Sequence, residues 1–308
     1  MKIRFFIIVV LIFSILVSGL LIGCNRDNKK ESQSFDIVAT FYPLYIMLMN
    51  ITENIPELTL SLLAPADTGC LHDYQLTTKD MSLIQNCDVL VMNGGGMEHF
   101  MEDAISIKPS AQIINACGDW PLLDENPHIW VSTDGAAHQT LEIATQLSLI
   151  DPTNAEKYMA NAKNYIEKIK SLTEEMNTLI APITDTPIIT FHEAFPYFAK
   201  QFNLNVIASV EQEHGSEPSP RQLTELINLI RQEQAMGRKP ILFVEPGHTS
   251  SAAQIISDET GIPIKELDSA TTGELDKDSY INTMLKNAHT LFNTGLKNKT
   301  RKIYLQNS

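Results

Sequence analysis

One amphipathic stretch near the middle of the chain constrains the rest of it. Between Asp151 and Pro182, the residues Ala155, Tyr158, Met159, Ala162, Tyr165, Ile166, Ile169, Leu172, Met176 and Leu179 recur at helical spacings with no breaker between them. Asp151-Pro152 reads as an N-cap followed by proline at the first helical position. About 30 residues at ~1.5 Å each make a rod of roughly 45 Å. A single stiff helix of that length restricts hinge motion between whatever it joins.

On either side of it, short apolar runs rich in β-branched residues alternate with helical patterns. Candidate strands before it are Ile37–Thr40, Leu58–Leu63, Val89–Asn93 and Gln112–Asn115; those after it are Ile188–Phe191, Val206–Ser209, Ile241–Glu245 and Ile264–Leu267. Helical stretches such as Leu44–Thr52, Thr78–Asn86, Glu98–Ser106, Ala194–Phe202, Pro220–Gln234, Ser251–Glu259 and Ser279–Phe292 lie between them. Strand-helix alternation predicts parallel sheets covered by helices. The expected fold class is α/β, with two lobes, each a mainly parallel four-stranded sheet flanked by helices. The expected divisions are an N-terminal lobe over 35–150, the connecting helix over 151–181 and a C-terminal lobe over 182–308. A length of 308 residues with 44% hydrophobic composition is ample for two such lobes.

The N-terminus predicts a compartment. Lys2 and Arg4 precede an apolar run from Phe5 to Ile22, and Leu21-Ile22-Gly23-Cys24 leads into a polar stretch, Asn25 to Ser34. A positive start, an apolar middle and a small residue before the cut define an export signal over residues 1–23. The Leu-x-Gly-Cys ending resembles the lipobox of bacterial lipoproteins, which implies lipidation at Cys24 and a flexible tether over 24–34. The competing reading is a single membrane-spanning anchor, since about 18 apolar residues just suffice to span a bilayer. Cys70, Cys87 and Cys117 remain, an odd number for an exported chain; a Cys70–Cys117 bridge is one arrangement, and Cys87 reads as core.

A net charge of −14 repels nucleic acid, excludes that class of partner and suits a cation. Four potential ligands sit where strands end. His72 lies in the loop after the second strand, His128 after the fourth, His192 directly after Ile188–Phe191, and Asp268 directly after Ile264–Leu267. Ligands of open parallel sheets bind beyond the carboxyl ends of strands, so two facing lobes present all four to one cleft. Three imidazoles and a carboxylate suit Zn²⁺, with Mn²⁺ as the alternative. Each histidine taken alone is as compatible with packing or surface roles.

Several segments in order carry a specific resemblance: Phe41-Tyr42-Pro43-Leu44, His72-Asp73-Tyr74, Asn93-Gly94-Gly95-Gly96-Met97-Glu98, Asn126-Pro127-His128-Ile129-Trp130, Phe191-His192-Glu193-Ala194-Phe195, Glu217-Pro218-Ser219-Pro220-Arg221 and Glu245-Pro246-Gly247. The chain resembles the zinc and manganese substrate-binding lipoproteins of bacterial ABC importers, solute-binding protein family 9, across nearly all of residues 35–293. The resemblance implies two α/β lobes joined by a long backbone helix with the metal between them. It implies metal ligation by His72, His128, His192 and Asp268, no catalytic activity, and delivery of the ion to an ABC permease and its ATPase. It further implies a monomer held to the extracytoplasmic face of the cell membrane by its lipid. Histidine at position 192 favours zinc, where manganese binders more often carry glutamate.

Three departures from the family pattern bear on the site. Gly118 to Glu125 is short and lacks the His-rich loop of many zinc-specific members, the second motif continues into Val131-Ser132-Thr133-Asp134 and not Asp-Pro, and Thr68-Gly69-Cys70 precedes His72. That last difference raises Cys70 as a donor, but a thiolate there would be a fifth ligand to an already complete set, so Cys70 is not expected among the ligands. Competing functions are a surface-anchored zinc hydrolase using Glu193 or Glu245 as base, and a metal-stabilised surface adhesin. Asn93-Gly94-Gly95-Gly96 lacks the third glycine of a dinucleotide loop, and Pro196 spoils a His-Glu-x-x-His protease motif at His192. His248 follows a strand but reads as a surface residue, and His99, His138, His214 and His289 are expected on exposed helices and loops.

Overall fold

The apolar runs pair side by side as two parallel sheets. A computed structural model describes residues 34–306 apart from 72–73, 106–110, 212–217 and 248–249. The export segment with Cys24, and also His72, His214 and His248, lie outside these described residues. Among the described residues, no helix is long and apolar enough to cross a membrane.

The first sheet contains β1 (Phe35–Ala39), β2 (Leu58–Leu62), β3 (Val89–Met92) and β4 (Gln112–Asn115), in the order β2-β1-β3-β4. The second contains β5 (Ile188–His192), β6 (Val206–Glu211), β7 (Ile241–Val244) and β8 (Ile264–Glu266), in the order β6-β5-β7-β8. Every pairing is parallel. The two halves therefore repeat one topology, and the expected α/β class with two four-stranded lobes is the observed one. His192 closes β5 and does not follow it.

Parallel neighbours need crossovers, and helices supply them. In the first half these are α1 (Tyr42–Ile51), α2 (Thr78–Asn86) and α3 (Glu102–Ile105), followed by α4 (Thr133–Ile150). The connecting helix α5 (Ala155–Ile180) follows, then α6 (Pro196–Gln201), α7 (Pro220–Ala235), α8 (Ser251–Thr260) and α9 (Ser279–Gln306). Local chemistry fixes several starts. Thr77 with Asp80 and Ser219 with Gln222 form reciprocal capping boxes at α2 and α7.

The connecting helix starts later than its sequence suggests. Asp151 closes α4, its N–H reaching Leu147 O at 2.8 Å, and its carboxylate accepts from Asn154 Nδ2 and Tyr158 Oη. A carboxylate holding its own turn in this way leaves the helix to begin at Ala155. The 26 residues make a rod of about 39 Å. Tyr158, Ala162, Tyr165, Ile169, Leu172, Met176 and Ile180 form its buried stripe, whereas Met159 is exposed. That stripe packs on α4, α9 and α1, so the rod joins elements of both halves into one core.

Side-chain bonds to backbone lock the halves further. Trp130, fully buried and edge-on to Phe41 at 5.0 Å between centroids, donates its Nε1–H to Ser269 O at 2.9 Å. The Tyr280 hydroxyl donates to Trp130 O at 2.9 Å. Tyr42 Oη donates to Glu274 O, and Asn50 Nδ2 to Lys277 O. Gly273 donates its N–H to Ala66 O at 3.2 Å with φ at 153°, and a Cβ there would collide with the Tyr42 hydroxyl.

Glu98 organises the loop after β3. Its carboxylate accepts from Asn93 N at 2.6 Å, Gly94 N at 3.0 Å and Thr40 Oγ1 at 2.8 Å. Burial pushes this carboxyl up, and the three donors pull against that. Asn93, so held, donates Nδ2–H to Pro127 O at 3.0 Å, directly before His128. Glu98→Gln turns an amide N–H₂ toward at least one of those donors. It is expected to destabilise the fold by about 1–3 kcal/mol in urea titration, with Glu98→Asp no better because it falls short of both amides.

Candidate metal centre

Two histidines and one cysteine converge between the halves. The ligand atoms of Cys70, His128 and His192 all lie within 4.8 Å of one another, and all three residues are buried. Each comes from a strand end or the segment beyond one. Cys70 ends a loop after β2 in which Thr68 N bonds Pro65 O, Gly69 takes φ 81° and the next residue, Leu71, is wholly buried. His128 follows β4 through a longer loop, and His192 is the last residue of β5. Strand order reverses beside β1 and beside β5, the kind of place where open parallel sheets bind ligands beyond their strand ends.

Both imidazoles are oriented by hydrogen bonds at Nδ1. His128 Nδ1–H donates to Asn126 Oδ1 at 2.9 Å, and its Nε2 lies 3.4 Å from Cys70 Sγ. His192 Nδ1–H donates to Glu245 Oε2 at 3.0 Å. The two rings meet edge to face with centroids 5.1 Å apart. A ring fixed through Nδ1 by an amide or carboxylate oxygen presents Nε2 for coordination and gains basicity, the usual support of a metal-binding histidine. The donor set fits a borderline metal: one sulfur and two nitrogens suit zinc better than an oxygen-seeking ion.

The four expected ligands fare unequally. His128 and His192 come together, and His72 is outside the described residues. Asp268 stands beside the cluster but outside it. Its Oδ1 accepts from Ala270 N at 2.8 Å, while its own N–H and C=O are both held by the Asn287 side chain. Burial pushes its carboxyl up, the Glu245 charge adds to that, and Lys286 opposes it. Asp268 and Glu245 share a cavity of about 280 Å³ whose opposite wall is Asp67, Thr68 and Gly69 of the Cys70 loop.

Asn126 and Glu245, which spacing does not single out as partners of the histidines, bond the two rings. Asn126 accepts two bonds from His128, at its N–H and at Nδ1, and donates Nδ2–H to Glu193 O at 2.8 Å, one residue past His192. Tyr197 extends the link, donating to Asn126 O at 2.7 Å and accepting from Leu123 N at 2.8 Å. Of the other histidines, His99 and His289 are exposed as expected; His138 is half-buried and donates to Cys117 O at 2.9 Å. Cys70, Cys87 and Cys117 are separate buried thiols, so the Cys70–Cys117 bridge does not form.

With this geometry in place, similarity to known proteins becomes informative. Residues 37–294 match the family described as the periplasmic zinc-uptake complex component A, ZnuA. The chain belongs to this family. It is 27% identical over 260 residues to the iron-binding protein YfeA of Yersinia pestis, covering 81% of each chain. It is 26% identical over 302 residues to the high-affinity zinc uptake system protein ZnuA of Bacillus subtilis, covering 88% of this chain and 92% of that one. Among solved structures, the substrate-binding protein FpvC of Pseudomonas aeruginosa in complex with Mn²⁺ aligns with a TM-score of 0.77 at 30% identity. The alignment covers 86% of this chain and 99% of that one.

The Glu245 carboxylate is placed to hold the His192 ring, which yields a graded expectation. Glu245→Ala should weaken metal binding about 10–100-fold with the fold intact, and Glu245→Gln, which keeps an acceptor oxygen, should recover part of that loss. Equilibrium competition with a chromophoric chelator measures both.

Proposed function

We propose that the protein captures Zn²⁺, with Mn²⁺ as the alternative, outside the cytoplasmic membrane and delivers it to an ABC permease and its ATPase. The observation that carries this reading is the buried convergence of His128, His192 and Cys70 at the junction of two lobes in a member of the zinc-uptake family. The metal is cargo. His128 and His192 bind it through Nε2, and His72 and Asp268 are the further ligands implied by the family resemblance.

A transfer site and a catalytic site ask different things of the same residues. Catalysis needs a metal-bound water and a base free to move a proton. Glu245, one of two bases a hydrolase would use, is bonded to His192 Nδ1 at 3.0 Å and so serves orientation. The main chain of the other, Glu193, accepts from Asn126 and helps join the lobes. The engagement of the Glu245 carboxylate favours holding an ion over turning over a substrate. Anchoring through a lipid on Cys24, a tether over 24–34 and action as a monomer complete the reading, with the lobes divided at 35–150, 151–181 and 182–308.

Calorimetric titration of the metal-stripped protein with Zn²⁺ and with Mn²⁺, repeated for His192→Ala and Asp268→Ala, tests it. The expected result is one tight zinc site, weaker manganese binding, and loss of affinity in His192→Ala of at least ~100-fold. Tight manganese with weak zinc would keep the transport role and reverse the metal assignment. No tight site for either ion would end the transport reading.

A further inference from the structure

We infer that Cys70 is itself a metal ligand, a thiolate donor that biases the site toward zinc and other thiophilic ions and against manganese. The inference rests on the metal-capture reading and deepens it, because it assigns to the thiol a coordination position at the same centre.

Three observations lead to it. First, the sulfur is in the cluster and not merely near it: Cys70 Sγ, with one nitrogen from each of His128 and His192, forms a group within 4.8 Å. Second, the spacing fits a shared ion. A tetrahedral zinc with Zn–S of ~2.3 Å and Zn–N of ~2.0–2.1 Å holds those two donors about 3.5 Å apart. Cys70 Sγ and His128 Nε2 are 3.4 Å apart. Third, the supports of both imidazoles act on the side of each ring away from the sulfur. Asn126 and Glu245 engage the two imidazoles at Nδ1, the far side of each ring from Nε2.

The remaining cysteines show what a structural thiol looks like in this fold. Cys117 is buried, receives a bond from Asn93 Nδ2 at 3.6 Å, and has its thiol pushed up to about 12 by burial and the Glu98 charge. Cys87 caps α2 with its thiol 3.3 Å from Ile84 O. Neither stands in the donor cluster. Cys70 packs against Met97, with Sγ 4.0 Å from Sδ, on one side and the imidazoles on the other.

The chemistry has a direction. Binding converts the thiol to a metal-bound thiolate and releases its proton to solvent, with no change in oxidation state. Thiolate is a soft donor that favours zinc, whereas manganese is held best by carboxylate, carbonyl and water oxygens. Two nitrogens and a sulfur therefore widen the preference between these ions beyond what a set of imidazoles and a carboxylate provides.

Cobalt substitution tests this directly. The metal-stripped protein is titrated with Co²⁺ and its absorption recorded, then the titration is repeated with Cys70→Ser and Cys70→Ala. The expected result is a sulfur-to-cobalt charge-transfer band in the near ultraviolet for the unaltered protein, absent in both variants. Zinc affinity should fall at least ~100-fold in both variants, while manganese affinity changes much less. Cobalt binding without that band, or a band that persists in the variants, would overturn the assignment of Cys70 while leaving metal capture standing. Failure of the unaltered protein to bind cobalt, zinc or manganese would remove both. The spectrum of the unaltered protein needs no variant to fold, so a misfolded variant does not shelter the proposal.

Discussion

The centre depends on an amide side chain that touches both histidine-bearing segments. Asn126 fixes the His128 ring and backbone with its oxygen and holds the carbonyl next to His192 with its nitrogen. His128 and His192 come from different halves, and this bridge ties their segments together next to the two rings. The neighbouring bonds make the bridge stiff. Tyr197 clamps the Asn126 carbonyl, and Asn93, itself held by Glu98, clamps the Pro127 carbonyl. An amide does this where a hydroxyl would not, because only an amide offers an acceptor and a donor at a fixed separation.

Such bracing limits how an ion leaves. The rod of α5 packs on elements of both halves, and Trp130 and Tyr280 add buried backbone bonds across the junction. A wide separation of the lobes would break all of these together, and each buried group left unpaired costs about 1–3 kcal/mol. The Cys70 loop is held across the junction by a lighter contact, Gly273 N to Ala66 O at 3.2 Å, and it walls the cavity shared with Glu245 and Asp268. Moving that loop would break fewer bonds between the halves than separating them, though Cys70 and Leu71 at its end are packed in the core.

Much of this was readable from residue order, for identifiable reasons. All eight strands fall on the short runs the sequence marks, although β8 is only Ile264-Lys265-Glu266, and the period of the connecting helix is strong enough to survive its charged face. His128 and His192 follow from strand ends, because parallel sheets place their carboxyl termini on one edge. The start of the connecting helix was misplaced because Asp151 serves as a C-terminal residue and turn acceptor, a role that looks identical to an N-cap in sequence. Helix α4 escaped notice because its buried face is made of Thr, Ala and Gln as much as Ile and Leu. The place of Cys70 in the cluster does not follow from residue order, since counting ligands along a chain cannot tell which one the fold turns inward.

The repeated strand order explains why the two halves contribute differently. Each sheet carries its reversal between its first strand and its neighbours, and each offers groups to the same cluster. In the second half the strands themselves deliver the groups: His192 closes β5, Glu245 follows β7 and Asp268 follows β8 closely, giving a fixed row of one base and two carboxylates. In the first half the donors stand farther from their strands, on the loop ending in Cys70 and the loop ending in His128. The rigid half thus sets the electrostatics and the orientation of one imidazole. The looped half brings a second imidazole and a sulfur to it, and of these only the His128 loop is tied down by Asn126. An ion at this centre is thus held between a row of groups set by strand ends and a pair of donors brought in by two loops.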